Sequence, residues 1–173
     1  MPRMIRSFVP VGQGAFYLEQ FGRVPERTNV VYDCGSSTDV KLIEAQIDDA
    51  FEPNETIDAI FISHLHEDHI NGLEHILTRC KVKRLFFPLL TNESKILLHL
   101  YYISIGAYHE DSFFIRFIDD PKNALDDFFR DHNLDYSLTL HPVRPNQADD
   151  DYNDDQYGNE QFNSDIGRKS DVY

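Results

Sequence analysis

The chain has 173 residues, of which 41% are apolar, and a formal net charge of −14 at pH 7. This length is typical of one domain that buries a sizeable core, and the acidity argues against an extensive nucleic-acid surface or an anionic membrane partner. No apolar run approaches the ~20 residues of a membrane helix, and the N-terminus lacks the apolar core of a signal peptide, so we expect a cytoplasmic protein.

The first 51 residues predict a β-meander followed by a helix. Short apolar runs alternate there with glycine-rich turns. The predicted strands are residues 3–11, 15–21 and 28–35. Residues 36–51 then place apolar side chains at helical spacing, with Ser37 or Thr38 as the candidate N-terminal cap.

A strand, helix, strand unit follows. Residues 57–63 are almost continuously apolar, as in a strand that is buried on both faces. Residues 70–79 have the apolar spacing of a helix, and residues 82–88 predict the next strand. Such a crossover requires a sheet with a helix packed on it, so the fold class is α/β.

The pattern is weaker after residue 88. Residues 91–106 and 121–132 predict helices, residues 136–143 predict a strand, and residues 112–118 fit either structure equally well. Residues 145–163 hold five Asp and one Glu but no Lys or Arg, and therefore predict an acidic flexible loop. We interpret residues 1–173 as a single domain.

The cysteine count is too low for a disulfide framework or a cysteine-based zinc site. Cys34 and Cys80 are the two cysteines of the chain. We expect both to be reduced thiols that pack as small apolar groups.

Four metal-ligating residue types lie within six positions between the buried strand and the next helix. They are His64, His66, Asp68 and His69. Residues two apart face opposite sides of a helix, and on a strand His69 would point away from Asp68, so we expect a loop wrapped around a ligand. Imidazole nitrogens with a carboxylate oxygen suit zinc, and less often iron or manganese. Glu67, in the same segment, is interpreted as a solvated side chain.

These residues resemble the signature of the metallo-β-lactamase-fold hydrolases. The pattern H-x-H-x-D-H reads here as residues 64–69 and is followed by the usual Asn71-Gly72. Three further segments, 11-VGQGAFYLE-19, 33-DCG-35 and 82-VKRLFFP-88, are similar to the ComEC-like metallo-hydrolase domains.

The resemblance implies a four-layer αββα sandwich with a centre of two divalent metal ions, most simply zinc. By position in the motif, His64 and His66 hold the first ion, and Asp68 and His69 hold the second. Asp33 is a nearby carboxylate that orients the loop by hydrogen bonds. The implied reaction is hydrolysis of an ester, phosphodiester or amide by a metal-activated water, with Asp68 as the catalytic residue that orients the water or accepts its proton.

Two features of that family are missing. The family completes its site with a Gly-Asp pair and a distal histidine, yet no Gly-Asp pair follows residue 88. The resemblance therefore implies an incomplete domain, namely the N-terminal half plus part of the second half, with weak metal binding. His141 is the remaining candidate ligand, and its alternative role is to cap a strand end. Uncovered strands of such a half-domain also predict that the chain forms an oligomer.

Two functions stay open. The first is a metal-dependent hydrolase that acts on a small-molecule or nucleotide-type substrate. The second is a catalytically incompetent half-domain, or an interaction module, that keeps only the first metal-binding motif.

Overall fold

A mixed seven-stranded sheet with helices packed on it forms the centre of the computed structural model, which describes residues 3–24, 26–106, 112–144 and 165–166. The strands are β1 (Met4–Phe8), β2 (Gly14–Phe21), β3 (Thr28–Ser36), β4 (Thr56–Ile57), β5 (Ala59–Phe61), β6 (Lys81–Val82), β7 (Arg84–Pro88), β8 (Leu138–Val143) and β9 (Asp165–Ile166). β4 and β6 pair in parallel as a separate two-stranded sheet. The acidic loop predicted for residues 145–163 lies outside the described residues.

The helices follow β3, β5 and β7. They are α1 (Val40–Ala50), α2 (Glu67–Ile70), α3 (Leu73–Arg79), α4 (Asn92–Ser104), α5 (Phe113–Asp119) and α6 (Pro121–Asp131). Across the described ranges, none of them has both the length and the apolar character that crossing a membrane requires.

The sheet changes from antiparallel to parallel at β3. Its strand order is β1-β2-β3-β5-β7-β8-β9, in which β1, β2 and β3 form an antiparallel meander. β3, β5, β7 and β8 run parallel, and β9 is antiparallel to β8. Because parallel neighbours need crossovers, α1 connects β3 toward β5 and the α2–α3 segment connects β5 toward β7. The carboxyl ends of β3 and β5 therefore meet at one edge of the sheet.

The predicted meander, crossover and later helices are confirmed, and the structure differs from the prediction in detail. The strand predicted for residues 57–63 is divided at Asp58, whose carboxylate accepts hydrogen bonds from the Asn29 N–H (3.0 Å) and the Lys83 ammonium (2.7 Å). The ambiguous residues 112–118 form helix α5, because a helix buries both faces of this apolar segment between the sheet and α6.

The cap of α1 differs from the prediction. Asp39, and not Ser37 or Thr38, is the N-terminal cap, and its side chain accepts a hydrogen bond from Lys41 N at 2.9 Å. The Thr38 hydroxyl is used elsewhere, because it accepts a hydrogen bond from Gln13 N at 2.8 Å. That bond ties the start of α1 to the turn before β2.

The two faces of the sheet have different surroundings. On one face a row of aligned apolar side chains is buried, and each helix of the described residues adds side chains to the same core. This core row is Leu18, Val31, Ile60, Leu85 and Leu140. The helices thus cover the face of the sheet that carries this row.

The other face carries a row of rings, which we call the aromatic row. It consists of Phe8, Tyr17, Tyr32, Phe61, Phe86 and His141. Neighbouring ring centroids lie 4.4 to 5.6 Å apart. Phe8 is 87% exposed and Tyr32 is 39% exposed. In the αββα arrangement a second large sheet packs against this face. The described residues contain one large sheet, the seven-stranded one, with its helices.

Both cysteines are buried free thiols, as predicted. Burial raises the pKa of the Cys34 thiol, and it raises the pKa of the Cys80 thiol to about 12. Neither thiol is therefore a reactive thiolate at neutral pH.

A buried polar cluster holds the end of the sheet opposite the carboxyl end of β5. The side chain of Asn29, which is fully buried, donates to Glu55 Oε1 (2.9 Å) and Thr56 O (2.8 Å) and accepts from Gln20 Nε2 (3.1 Å). The Arg27 guanidinium donates twice to Glu55 Oε1, at 2.9 and 2.6 Å. Burial alone would raise the pKa of Glu55, but the hydrogen bonds from Arg27 and Asn29 outweigh burial and lower it.

Replacing Glu55 is expected to reduce stability in a pH-dependent way. Glu55→Gln removes the charge that Arg27 binds, so the free energy of unfolding at pH 7 should fall by about 2 kcal/mol. Because the folded pKa lies below the ordinary value of 4.5, the contribution of Glu55 is fully present above pH 4.5 and is lost as pH falls through the folded pKa. Urea unfolding between pH 3 and pH 7 measures this. Glu52→Gln, at an exposed neighbouring carboxylate, is the control, and a pH-independent difference between the wild type and Glu55→Gln would contradict the expectation.

Candidate metal centre

The segment that carries the metal-ligating residues begins where β5 ends. Ile62 N donates to Phe86 O at 2.8 Å and fixes the chain to β7 just before the first histidine. His64 and His66 lie in an irregular segment, whereas Asp68 and His69 lie in the single turn of α2. The prediction of a loop throughout is therefore wrong for the second half of the motif. Because the backbone changes from extended to helical within the motif, the side chains of His64, Asp68 and His69 can point toward the same place.

α2 packs directly on the backbone of the meander because glycines leave room for it. A Cβ atom at Gly35 would lie 2.5 Å from both the Asp68 carbonyl carbon and the His69 nitrogen. A Cβ atom at Gly14 would lie 2.8 Å from the Asp68 carbonyl oxygen. Both distances are shorter than van der Waals contact, so any larger residue would displace α2 from β2 and β3.

The residues after α2 fix the segment to the end of β3. The Asn71 side chain accepts from Ser36 N (2.9 Å) and donates to Ser36 O (2.7 Å). Gly72 N donates to Cys34 O at 2.8 Å. The Asn71-Gly72 pair of the motif thus docks the helix start onto β3 through backbone groups that the sheet leaves free.

Asp33, at the end of β3, connects the two halves of the motif. Its Oδ1 accepts from the Ser63 backbone N–H (2.7 Å), and its Oδ2 accepts from the Ser63 hydroxyl (2.7 Å) and from His69 Nδ1 (2.8 Å). Asp33 is 8% exposed and has a φ of 56°, a left-handed conformation that Asp tolerates better than most residues. The expectation that Asp33 orients this segment by hydrogen bonds is confirmed.

These hydrogen bonds assign the tautomers of the two histidines. Because Asp33 accepts from His69 Nδ1, the neutral tautomer of His69 that fits this bond carries its lone pair on Nε2. The Ser63 hydroxyl gives its one proton to Asp33, so its 2.9 Å contact with His64 Nδ1 requires that nitrogen to donate. His64 therefore also presents the lone pair of Nε2. Burial, together with the neighbouring His69 and His66, lowers the pKa of His64 and favours this neutral form.

Three of the four predicted ligands come together. His64, Asp68 and His69 can each offer one ligand atom such that all three atoms lie within 4.8 Å of one another. The rings of His64 and His69 are 3.8 Å apart, and Asp68 Oδ2 is 3.7 Å from His69 Nε2. Two imidazole nitrogens and one carboxylate oxygen form a donor set that fits a divalent cation such as zinc. His66 lies outside this group, with its ring 5.0 Å from that of His64.

His141 is held elsewhere. Its ring stacks on Phe86 with 4.4 Å between centroids and 13° between planes. It is not part of the group of three ligand atoms, and within the described residues its buried Nε2 has no hydrogen-bond partner. The strand-end cap is wrong, since His141 lies within β8 and its ring belongs to the aromatic row, whereas the ligand role stays a prediction. His75, on α3, pairs with Asp48 at 2.9 Å.

Sequence reasoning missed the role of Ser63 and the position of helix α4 beside the site. Ser63 directly precedes the first histidine, and a polar residue at the end of an apolar strand is a signal that could have identified it. Helix α4 gave no such signal, because only the tertiary structure brings it to the site. The Tyr102 hydroxyl on α4 accepts from Glu67 N at 3.0 Å and fixes α4 beside α2.

A cavity of about 380 Å³ lies between the metal-ligating segment and α4. Its lining is mainly apolar. The lining residues are His64, Leu65, His66, Leu90, Ser94, Leu97, Leu98 and Tyr101.

Comparison with known proteins identifies similar chains. Residues 11–143 match the family model of the metallo-beta-lactamase superfamily. A 48-residue segment, 28% of this chain, is 46% identical to 17% of the anti-Pycsar protein Apyc1 of Bacillus phage BSP38. A 59-residue segment, 34% of this chain, is 39% identical to 17% of ribonuclease Z from Gloeothece citriformis (strain PCC 7424).

Among solved structures, one similar chain is a beta-lactamase domain protein from Burkholderia ambifaria. The match has a TM-score of 0.34 and 19% identity, and it covers 86% of this chain and 41% of the other. The matched regions thus span less than half the length of each of these three relatives.

Removing the charge of Asp33 is expected to weaken zinc binding. Asp33→Asn replaces one acceptor oxygen with an NH2 group. When the amide oxygen stays on the Ser63 N–H, the NH2 group faces His69 Nδ1 and cannot accept from it, so His69 loses its orientation and tautomer. We expect the dissociation constant for Zn²⁺ to rise by about 10- to 100-fold. Competition titration against a chromophoric chelator measures it. Asp39→Asn, which keeps the cap of α1, is the control, and unchanged affinity in Asp33→Asn would refute the orienting role.

A methyl group at Gly35 is expected to disturb the metal site through α2. Gly35→Ala should lower the free energy of unfolding by about 2 kcal/mol, because its Cβ meets backbone that must shift. It should also weaken zinc binding. Gly106→Ala is the control, since it strains a positive φ in open space and should cost stability without changing zinc affinity. Equal zinc affinities in the two variants would show that α2 is not held by this contact.

Proposed function

The chain belongs to the metallo-beta-lactamase superfamily, and from this membership we propose that it is a metal-dependent hydrolase of ester-type bonds, with phosphodiesters favoured. The observation that carries the proposal is the convergence of His64, Asp68 and His69 at the carboxyl end of β5. Edges of this kind, where strands end and helices begin, are the usual place for a site in an α/β sheet.

The proposed centre contains two divalent ions, most simply zinc. His64 and His69 would each contribute Nε2, Asp68 a carboxylate oxygen, and His66, beside His64, the remaining imidazole. When bound, such ions activate a water molecule and stabilise the negative charge that develops on the attacked group. The part of the protein is to orient both histidines, through Ser63 and Asp33, so that each presents Nε2 to the centre.

Asp68 is the proposed catalytic residue. Its side chain is 26% exposed, so solvent water can reach it, and it lies 3.7 Å from His69 Nε2 at the same centre. A carboxylate in this position can orient the attacking water and accept its proton. α2 holds it in place by its contact with Gly35.

Phosphodiesters are favoured as substrates by two likenesses. One similar protein is named ribonuclease Z, and the name indicates action on RNA, whose linkages are phosphodiesters. Three segments of the chain also resemble ComEC-like domains, as described above. The net charge of −14 opposes tight binding of a long polyanion, so a small or nucleotide-type phosphodiester is the better candidate.

The aromatic row favours a second function, that of an interaction module. Its rings are partly exposed on a sheet face that the described helices do not cover. Such a face is suited to packing against another chain, as the expectation of an oligomer also requires. In this function the metal motif would contribute to structure and not to catalysis.

Hydrolysis assays distinguish the two functions. Protein loaded with Zn²⁺, Mn²⁺ or Fe²⁺ is assayed with bis(4-nitrophenyl) phosphate and 4-nitrophenyl acetate. We expect metal-dependent turnover that falls by about 100-fold or more in His64→Ala and Asp68→Asn, because each removes a ligand or the proton acceptor. His75→Ala, a histidine on α3 that pairs with Asp48, is the control and should keep its activity.

Metal stoichiometry tests the number of ions. Because an incomplete site predicts weak binding, the protein is dialysed against Zn²⁺ in excess; elemental analysis should then give two equivalents for the wild type and about one for His66→Ala. If the wild type binds no metal and its hydrolysis rate equals that of the double variant His64→Ala/His66→Ala, the hydrolase proposal is wrong for this chain and the interaction module remains.

A further inference from the structure

One face of α4 opens onto the candidate metal centre. Ser94, Leu97, Leu98 and Tyr101 follow i, i+3, i+4, i+7 spacing and therefore share a face of the helix. Together with His64 and His66 from the metal-ligating segment, they line the cavity of about 380 Å³. The cavity is thus continuous with the proposed reaction centre.

The position of α4 is built into the fold. Thr91 caps the helix by accepting from Ser94 N at 3.2 Å, and Tyr102, which is 1% exposed, joins it to Glu67 N at 3.0 Å. The Lys95 ammonium donates to Asp119 O at 2.8 Å and ties α4 to the end of α5. The cavity is therefore held open by packed and hydrogen-bonded elements on both sides of Leu97.

The chemistry of the cavity wall limits what can fill it. No Lys, Arg, Asp or Glu is among the lining residues, and the apolar share of the lining far exceeds the polar share. Leu97 is 67% exposed and Tyr101 is 54% exposed. Leaving such side chains in water costs free energy that burial against an apolar ligand recovers. A second phosphate or another charged group would find no opposite charge on this wall.

Resting on the hydrolase function proposed above, we propose that the substrate carries an uncharged apolar group, alkyl or aryl, beside the scissile ester bond, and that this group occupies the cavity against Leu97 and Tyr101. The continuity of the cavity with His64 and His66 favours a substrate group over a separate protein partner. Other exposed apolar residues of α4, such as Leu100, do not line the cavity. They provide matched controls on the same helix.

A homologous substrate series tests the proposal. Methyl and octyl 4-nitrophenyl phosphates, and 4-nitrophenyl acetate and octanoate, keep the leaving group and vary the other substituent. All are used below the concentration at which octyl compounds form micelles. For the ester class that is hydrolysed, kcat/KM should be about 100-fold higher with the long chain than with the short one, as burial of several methylenes predicts.

Variants of two leucines on α4 distinguish binding in this cavity from a general effect of exposed apolar side chains. The ratio of kcat/KM between long and short substrates should fall by about tenfold in Leu97→Ser and change by less than about twofold in Leu100→Ser. Both residues are exposed, at 67% and 59%, so neither change should prevent folding. Equal ratios in the two variants would overturn the proposal, as would a change in oligomeric state on light scattering in Leu97→Ser with no change in the ratio.

A binding measurement tests the apolar cavity independently of the hydrolase function. Octyl phosphate and methyl phosphate are titrated calorimetrically into the metal-loaded wild type and Leu97→Ser. A preference for octyl phosphate of about tenfold or more, lost in Leu97→Ser, supports the cavity even if no substrate is hydrolysed, and in that case only the hydrolase function fails. Hydrolysis without chain-length preference, together with equal binding of the two phosphates, leaves the hydrolase function standing and refutes the apolar cavity.

Discussion

The candidate site depends on one carboxylate. Asp33 stands at the end of β3 and accepts three hydrogen bonds, two from Ser63 and one from His69. Through them it holds the end of β5 and the helical turn that follows against the end of β3, which lies 30 or more residues earlier in the sequence. A buried carboxylate is costly unless its oxygens are satisfied, so the same bonds that satisfy Asp33 also set the orientation of the candidate ligand histidines. The left-handed φ of 56° at Asp33 is sustained by this set of bonds.

The close approach of α2 to the meander provides the second constraint. Gly35 and Gly14 bring the backbone of Asp68 against β2 and β3. Hydrogen bonds alone could hold the segment in several ways, but backbone packed against backbone has little freedom to shift. The Asn71-Gly72 pair then directs the chain into α3, whose buried side chains Leu73, Ile76 and Leu77 anchor it in the core. The packing of α3 in the core thereby limits the movement of the candidate ligand atoms on α2.

Much of this arrangement could be predicted from the sequence, because the signals are local. The meander, the buried strand β5 within residues 57–63 and the spacing of the four candidate ligand types required only periodicity and residue chemistry. Other features depend on tertiary contacts. The cap Asp39 replaced Ser37 or Thr38 because Thr38 bonds to a turn 25 residues away. Residues 112–118 became a helix because both of its faces are buried, which no periodicity in seven residues can show. The role of α4 followed only from its position beside α2.

The aromatic row and the cavity-lining face of α4 are both apolar and partly exposed, but they differ in a way that bears on function. The aromatic row spans six strands on the face of the sheet away from the helices, where an αββα sandwich places its second sheet. The face of α4 that carries Leu97 and Tyr101 is narrow and ends at His64 and His66. The first surface is suited to the packing of large elements, and the second to a single small group. In a chain of net charge −14, with no cationic residue lining the cavity, bound metal ions would supply the local positive charge for an anionic ester. An apolar wall beside such ions would then add selectivity through burial without adding competing charge.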